Sequence, residues 1–241
     1  MAAKGFVIAW CLICLAVPAW AGQALLVQGM EAQKAGRNQQ ALELLNKYIA
    51  KYPQVTEARY YRALALSALD KDKEALEDVD KALSDHPTNV KFLMAKGTIL
   101  AKMDRRPEAI LIFTQVMKCD PRNPDACKER GECLAQEGQF QEAIADLDRA
   151  SRLAPKDPWV YNKRGMAWFC LGEYPKAVDD FTMAIRLKPD LALSYFFRGN
   201  IYQHHLGDRA KAAADYREGC RLGASLCCEE LEKMGGKPET K

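Results

Sequence analysis

The sequence has few of the residues on which catalysis and metal binding usually depend. It contains three histidines in 241 residues. After residue 21 it has no Cys-x-x-Cys pair, no glycine-rich phosphate loop and no Gly-x-Ser-x-Gly nucleophile motif. We therefore predict that the chain is not an enzyme and that it uses neither a metal nor a cofactor.

Long apolar runs and an excess of one charge are also missing. No stretch after residue 21 approaches the roughly 20 apolar residues that a membrane-spanning helix needs. The formal net charge is only +3, with 35 Lys and Arg against 32 Asp and Glu. This balance gives no electrostatic reason to expect nucleic acid as a partner, and the sequence predicts a protein that is not integral to the membrane.

Residues 1–21 have the pattern of a signal peptide. Lys4 precedes an apolar run from Phe6 to Val17, and Ala19-Trp20-Ala21 forms a small-x-small cleavage signal. We expect cleavage after residue 21 and export of the chain, to the periplasm or as a secreted protein. A bacterial envelope is favoured over the lumen of the endoplasmic reticulum.

The remaining chain repeats itself every 34 residues. Four independent series of positions share this period: a small residue, an alanine, a bulky apolar residue and a proline. The series are Gly29, Ala63, Gly97, Gly131, Gly165 and Gly199; Ala41, Ala75, Ala109, Ala143 and Ala177; Leu45, Val79, Phe113, Leu147 and Phe181; and Pro53, Pro87, Pro121, Pro155 and Pro189. A shared period of this length predicts an array of repeated units.

Each unit is predicted to contain two helices. Asn123-Pro124 and Asp157-Pro158 place a capping side chain before a proline at the first helical position. Turns such as Leu171-Gly172-Glu173 separate the helices, and the proline series ends the second one. The small and alanine series should lie where the two helices cross, because a bulky side chain there would force the axes apart.

This pattern resembles the tetratricopeptide repeat (TPR), with residues 158–191 as the best match. The resemblance implies an all-α, right-handed α-solenoid of six helix-turn-helix repeats followed by a C-terminal capping helix. We place the units at 22–55, 56–89, 90–123, 124–157, 158–191 and 192–226, and the capping helix and flexible tail at 227–241. The segment Ala224–Met234 has one apolar helical face, formed by Ala224, Cys227, Leu231 and Met234, and this face predicts the cap.

A charged pattern accompanies the repeat. The residue before the small series is basic, and the residue before the bulky series is usually Asp; the members are Arg62, Lys96, Arg130, Arg164 and Arg198, and Asp78, Asp146, Asp180 and Asp215. We predict an Arg–Asp ladder, within or between units, that sets packing register.

Seven cysteines follow residue 21, and two pairs share a spacing of eight residues. Cys119 and Cys127, and Cys220 and Cys228, each flank a turn between helices, so two local disulfides are candidates, with Cys227 as a rival in the second. The odd count leaves at least one free thiol.

The resemblance to TPR proteins implies that the first helices of the units line a groove that binds a protein or peptide. The candidate groove residues are Tyr60, Met94, Trp159, Asn162, Met166, Phe169, Phe196 and Asn200. The set of Lys, Asn and Arg with which some members clamp a carboxy-terminal Asp is not reproduced, since Leu26 stands at its first position. We therefore expect a non-enzymatic scaffold that binds a helix or extended segment, and the resemblance suggests assembly of an envelope complex. Self-association and glycan binding remain the alternatives.

Overall fold

The computed structural model describes residues 19–236, with side chains from residue 22. Most of the predicted signal peptide and residues 237–241 of the predicted tail lie outside the described residues. Within them, thirteen helices and no strand are found, so the all-α prediction is confirmed. The chain divides into two compact units, residues 1–82 and 83–241.

The first unit contains α1 (Ala19–Lys34), α2 (Asn38–Lys51), α3 (Thr56–Ala68) and most of α4 (Asp72–Asp85). The first helix begins before the predicted cleavage point. It packs against α2 and α3, which also pack on each other. Their core contains Ala41, Leu45 and Ala58, all fully buried.

The second unit continues the pattern of helix pairs. Its helices are α5 (Val90–Lys102), α6 (Arg106–Cys119), α7 (Pro124–Gln136), α8 (Phe140–Leu153), α9 (Pro158–Cys170), α10 (Tyr174–Leu187), α11 (Ala192–His204), α12 (Arg209–Arg221) and α13 (Ser225–Lys233). Each packs on the next along the chain, and α7 also packs on α5 and α9. Thus α1 to α12 form six successive pairs, and α13 follows as the cap. No helix within residues 19–236 combines the length and the apolar character needed to cross a bilayer.

Side-chain caps start several of the first helices as expected. Asn123 Oδ1 accepts a hydrogen bond from the Ala126 amide at 3.0 Å, and Asp157 Oδ1 accepts one from the Trp159 amide at 2.9 Å. Pro124 and Pro158 occupy the first helical turn, where the missing N–H has no helical partner.

The crossing of each pair depends on contact between the small and bulky series. A Cβ atom added at Gly97 would lie 2.6 Å from the Phe113 ring. At Gly165 the nearest atom would be Cε1 of Phe181, at 3.1 Å. Because the ring occupies the place of the missing side chain, the small series sets how closely the two helices approach.

A fifth periodic series, not used in the sequence analysis, appears in the turn between paired helices. Its members have positive φ angles of 59° to 77° and are Gly36, Asp70, Asp104, Gly138 and Gly172. They end the first helix in the left-handed region, which glycine adopts freely and Asp more readily than most residues. The repeat therefore conserves a turn conformation rather than a single residue type.

The predicted Arg–Asp ladder is confirmed, and each arginine bridges three helices. Arg130 donates from Nε and Nη2 to Asp146 at 2.6 and 2.7 Å, and from Nη1 to Thr114 Oγ1 at 2.9 Å. Asp146 lies on the second helix of the same repeat, and Thr114 lies on the second helix of the preceding repeat. The ladder therefore acts both within and between repeats.

The same geometry recurs wherever the pattern is complete. The aspartate partners are buried, and Nη1 always reaches a polar side chain sixteen residues earlier. The sets are Arg62 with Asp78 and Asn46; Arg164 with Asp180 and Asp148; and Arg198 with Asp215 and Thr182. In the third repeat, Ile112 replaces the aspartate and packs against an apolar cluster instead.

Candidate functional site

The predicted groove residues all lie on first helices of the repeats, but they differ in exposure. Tyr60 lies on α3 of the first unit, where its ring packs edge-on against Tyr61 at 5.1 Å. The other seven lie in the second unit: Met94 on α5, four on α9, and Phe196 and Asn200 on α11. Trp159 is 45% exposed and Met166 is 40% exposed; the remaining members are half-buried or buried.

Asn162 forms a contact between two first helices. Its amide nitrogen donates a hydrogen bond to Ser194 Oγ at 2.8 Å, and both side chains are buried. Asn162 is one of the predicted groove residues. This hydrogen bond joins α9 to α11, and breaking it would leave buried polar groups without partners.

Three other candidates pack largely within the array. Met94 lies against the cluster of Leu93, Val116 and Ala126. The Phe169 ring lies 5.9 Å from that of Phe197.

Phe196 lies 6.4 Å from Tyr216 and packs against the core beneath α13. Met94, Phe169 and Phe196 thus pack mainly against other side chains of the repeats. The apolar groups that reach solvent on α9 and α11 are Trp159, Met166 and Leu193, the last 54% exposed.

A cleft lies beside Met166, between α7, the start of α8 and α9. It has a volume of about 130 Å³ and is lined by Glu132, Ala135, Gln136, Phe140, Lys163, Met166, Ala167 and Cys170. Sites for small molecules usually measure about 300–1,000 Å³. This cleft is therefore suited to a single side chain of a larger partner.

Charged groups border the cleft toward the start of α7. Lys163 forms an ion pair with Glu132, and Lys128 Nζ lies 2.8 Å from Asp125 and 3.0 Å from Asp157. The pairs with Glu132 and Asp157 link α7 with α9 or with the cap that precedes it, and the Lys128–Asp125 pair lies within α7.

Glu129 is half-buried and lies on the side of α7 that carries Glu132, one turn before it. Burial raises the pKa of the Glu129 carboxyl, which Lys163 partly opposes. Among the described residues, no donor forms a hydrogen bond to it.

The seven cysteines in the described part of the chain separate into one bridge and five thiols. Cys220 and Cys228 form a disulfide, with Cα atoms 4.8 Å apart, between the end of α12 and α13. Cys227 is buried beside it as a free thiol.

The other candidate pair, Cys119 and Cys127, is not joined. Cys127 points into the core with Leu147 and Val160, whereas Cys119 is exposed at the end of α6. The eight-residue spacing is therefore not sufficient to form a disulfide, because the two thiols point into different environments.

Burial raises the pKa of the Cys133 thiol to about 11. Residues 19–236 contain no cluster of groups arranged to hold a metal ion.

Neither the cleft nor Leu193 is among the residues predicted from the sequence. Leu193 stands at the same place in its repeat as Trp159, so the 34-residue period would have identified it. The cleft could not be found in this way, because Phe140 belongs to a second helix and enters through the turn after α7.

Comparison with known proteins agrees with the fold. The profile of the family described as "Psidin, N-terminal TPR repeats region" matches residues 30–161, more than half of the chain. No curated protein sequence matches the chain.

Similar solved structures include PilF of Pseudomonas aeruginosa, with a TM-score of 0.76 and 21% identity over 89% of this chain and 98% of that one. MamA of Desulfovibrio magneticus RS-1, from residue 41 to its end, has a TM-score of 0.65 and 20% identity over 70% of this chain and 96% of that one. At these identities the likeness shows the fold alone. The family match and the repeated helix pairs together show that the chain belongs to the TPR repeat family, in the group of the Psidin N-terminal repeats.

Proposed function

We propose that this protein is a non-enzymatic scaffold that binds a segment of a partner protein on the second unit. TPR repeat proteins in general bind protein partners. The face in question is formed by α7, α9 and α11, and we call it the α9 surface after its central helix. It comprises Trp159, Met166, Leu193 and the cleft beside Met166.

The observation that carries the proposal is the exposure of large apolar side chains beside a preformed cleft. Trp159, Met166 and Leu193 are each at least 40% exposed, although isolated apolar groups on a surface are common and only a group of them indicates a binding site. Tryptophan is enriched among residues that dominate binding energy. Methionine adapts its shape to different apolar partners.

Side-chain hydrogen bonds join the helices beneath this surface. The buried hydrogen bond from Asn162 to Ser194 holds α9 against α11, and Arg164 joins α9 to Asp180 and Asp148. A surface held in place before binding loses less conformational entropy when the partner arrives. Either a helix or an extended segment of the partner is compatible with this arrangement.

We further propose that the protein acts outside the cytoplasm, in assembly of an envelope complex. The signal-peptide pattern of residues 1–21 and the Cys220–Cys228 disulfide support export, since disulfides persist mainly in oxidising compartments. Mass spectrometry of the protein isolated from its native cells tests this. The proposal requires an N-terminus at Gly22 and an oxidised Cys220–Cys228 pair.

A crosslinking pull-down tests the binding function. The baits are the wild type, the Trp159→Ala/Met166→Ala variant, and a Leu111→Ala control, whose side chain is 68% exposed on α6. A partner recovered by the wild type and the control but lost from the double variant supports the proposal. Recovery of the same proteins by all three baits contradicts it, provided that circular dichroism shows equal helix content.

Self-association is the second candidate function, and Leu111, 68% exposed on α6, is the residue at which it can be tested. This leucine lies on a second helix, away from the α9 surface. Light scattering over a range of concentrations distinguishes the two functions. A mass that rises with concentration in the wild type, but not in Leu111→Ala, would assign α6 to a contact between copies.

A further inference from the structure

The charges around the cleft indicate which kind of segment the α9 surface takes. This inference rests on the proposed function and deepens it. Two ammonium groups border the cleft on the side of the α7 N-terminus, those of Lys128 and Lys163. Both are already paired: Lys128 with Asp125 and Asp157, and Lys163 with Glu132.

At the other end of the cleft, the nearby cation is also paired with groups of this chain. Arg106 donates from Nε to Gln136 Oε1 at 2.8 Å, and it forms ion pairs with Asp104 and Glu137. The arginine is therefore bound by groups of this chain. Among the described residues, the three cations that border the cleft, Lys128, Lys163 and Arg106, are thus each paired with acidic groups of this chain.

Glu129 is the carboxylate that remains. It precedes Glu132 by three residues and Gln136 by seven, so it lies on the face of α7 that borders the cleft. It is half-buried, and among the described residues it accepts no hydrogen bond and lies in no ion pair; Lys163 and Lys128 act on it only at longer range, where they partly oppose the rise of its pKa. A cation brought by a partner would stabilise a partly desolvated carboxylate in this position, because folding has already removed part of the water around it.

We propose that the α9 surface selects a basic apolar segment. One apolar side chain of the segment enters the cleft beside Met166, and a Lys or Arg of the same segment pairs with Glu129. The cleft residues of α7 lie three to seven positions beyond Glu129, which is about 5–10 Å along a helix. An extended chain covers this distance in about two or three residues, so the anchor and the cation are neighbours in the partner sequence.

The same charges reject an acidic segment. A carboxylate at the cleft would face Glu129 and Glu132 at short range, and like charges across an interface oppose binding. The surface is thus the reverse of one that clamps a carboxy-terminal Asp.

Three fluorescein-labelled peptides test the inference on the full chain. They share the sequence Gly-Phe-Ser-X-Phe-Ser-X-Gly, where X is Lys, Gln or Glu. Fluorescence anisotropy measures their binding to the wild type, Glu129→Gln, Met166→Ala and Glu142→Gln. Glu142 is an exposed carboxylate on α8, so its variant controls for the loss of one negative charge.

We expect the Lys peptide to bind about tenfold more tightly than the Gln peptide, and the Glu peptide to bind most weakly. Glu129→Gln should abolish the preference for Lys over Gln. Met166→Ala should weaken all three peptides, and Glu142→Gln should behave as wild type.

Equal binding of the three peptides to the wild type, or a Lys preference that survives in Glu129→Gln, overturns the charge selection while the proposed function stands. Binding that Met166→Ala leaves unchanged contradicts the cleft as well. If none of the peptides binds, both the charge selection and the peptide-binding function are rejected for this surface.

Discussion

The guanidinium of Arg164 holds the carboxylate of Asp180 with two parallel hydrogen bonds, from Nε at 2.8 Å and from Nη2 at 2.6 Å. Its third nitrogen reaches Asp148 at 2.7 Å on the preceding repeat. These bonds raise the pKa of Arg164 above its ordinary value. One side chain therefore fixes the register both within a repeat and between repeats, and α9, which carries the candidate surface, depends on it.

Removing one partner of this pair should be costly. We expect Asp180→Ala to lower the free energy of unfolding by about 3 kcal/mol, since it leaves a partly buried guanidinium without its main partner. Urea denaturation followed by circular dichroism measures the change. Asp179→Ala removes an exposed neighbouring carboxylate and should stay within about 0.5 kcal/mol of the wild type; equal losses in the two variants would contradict a structural role for the ladder.

Gly219 should not tolerate alanine. It stands where the other repeats of the second unit carry Val116, Ala150 and Ala184, but an added Cβ would collide with Cys227 Sγ of the capping helix. We expect Gly219→Ala to destabilise the protein by about 1–3 kcal/mol through overpacking. Combining it with Cys227→Ala should recover part of that loss, and additive losses in the double variant would argue against the contact.

Tyr216→Phe should be neutral or stabilising, by up to about 1 kcal/mol. The Tyr216 hydroxyl is buried, and no described group forms a hydrogen bond with it. Leaving such a group without a partner is unfavourable, and phenylalanine removes it while keeping the ring. Thermal unfolding of the two proteins measures the difference; a fall in melting temperature in the variant would show that the hydroxyl has a partner, such as a bound water.

The cysteines should differ in reactivity. Cys119 is exposed, whereas burial raises the pKa of Cys133 to about 11 and that of Cys227 to about 12. Iodoacetamide at pH 8 should therefore modify Cys119 in the folded protein and leave Cys133 and Cys227 unmodified, as peptide mass spectrometry can show. Rapid labelling of Cys133 would contradict the packing of α7.

Stability should depend on pH through Glu129. Because burial raises its folded-state pKa, the folded protein binds this proton more tightly than the unfolded chain does. The contribution of Glu129 to stability is thus most favourable below the ordinary glutamate pKa near 4.5, and it is lost as pH rises through the folded value.

We expect Glu129→Gln to be more stable than the wild type at pH 7. This advantage should shrink at pH 4, where the carboxyl of the wild type is protonated. Urea denaturation at the two pH values tests the prediction, and an advantage that does not depend on pH would contradict it. The same comparison shows that any loss of peptide binding in this variant is not caused by unfolding.

Much of the fold could be predicted from the sequence because its determinants are local and periodic. Proline and capping residues mark the ends of helices, and the Gly165–Phe181 contact follows from two series with one period. The Arg164–Asp180 pair was predicted in the same way. The hydrogen bond from Arg164 to Asp148 was not predicted, since the corresponding place in the repeats is occupied by Asn, Thr or Asp.

The surface was harder to predict, because exposure depends on neighbours. Phe169 and Phe196 occupy groove places in the repeat pattern, yet both pack against other rings. Asn162 has the same register and is buried against Ser194. Register alone determines which way a side chain points, but the bulk of the adjacent repeat decides how much of it remains in solvent.

The amino-acid sequence by itself determined the TPR class, the helix pairs and the Arg–Asp pairing, because each of these depends on spacing along a chain with a fixed 34-residue period. Tertiary structure decided which of the two candidate cysteine pairs is joined and which apolar groups remain exposed. It also placed the cleft beside Met166 and, within residues 19–236, left Glu129 without a hydrogen bond or an ion pair. These features depend on distances between side chains of different helices, and a repeat period does not specify such distances.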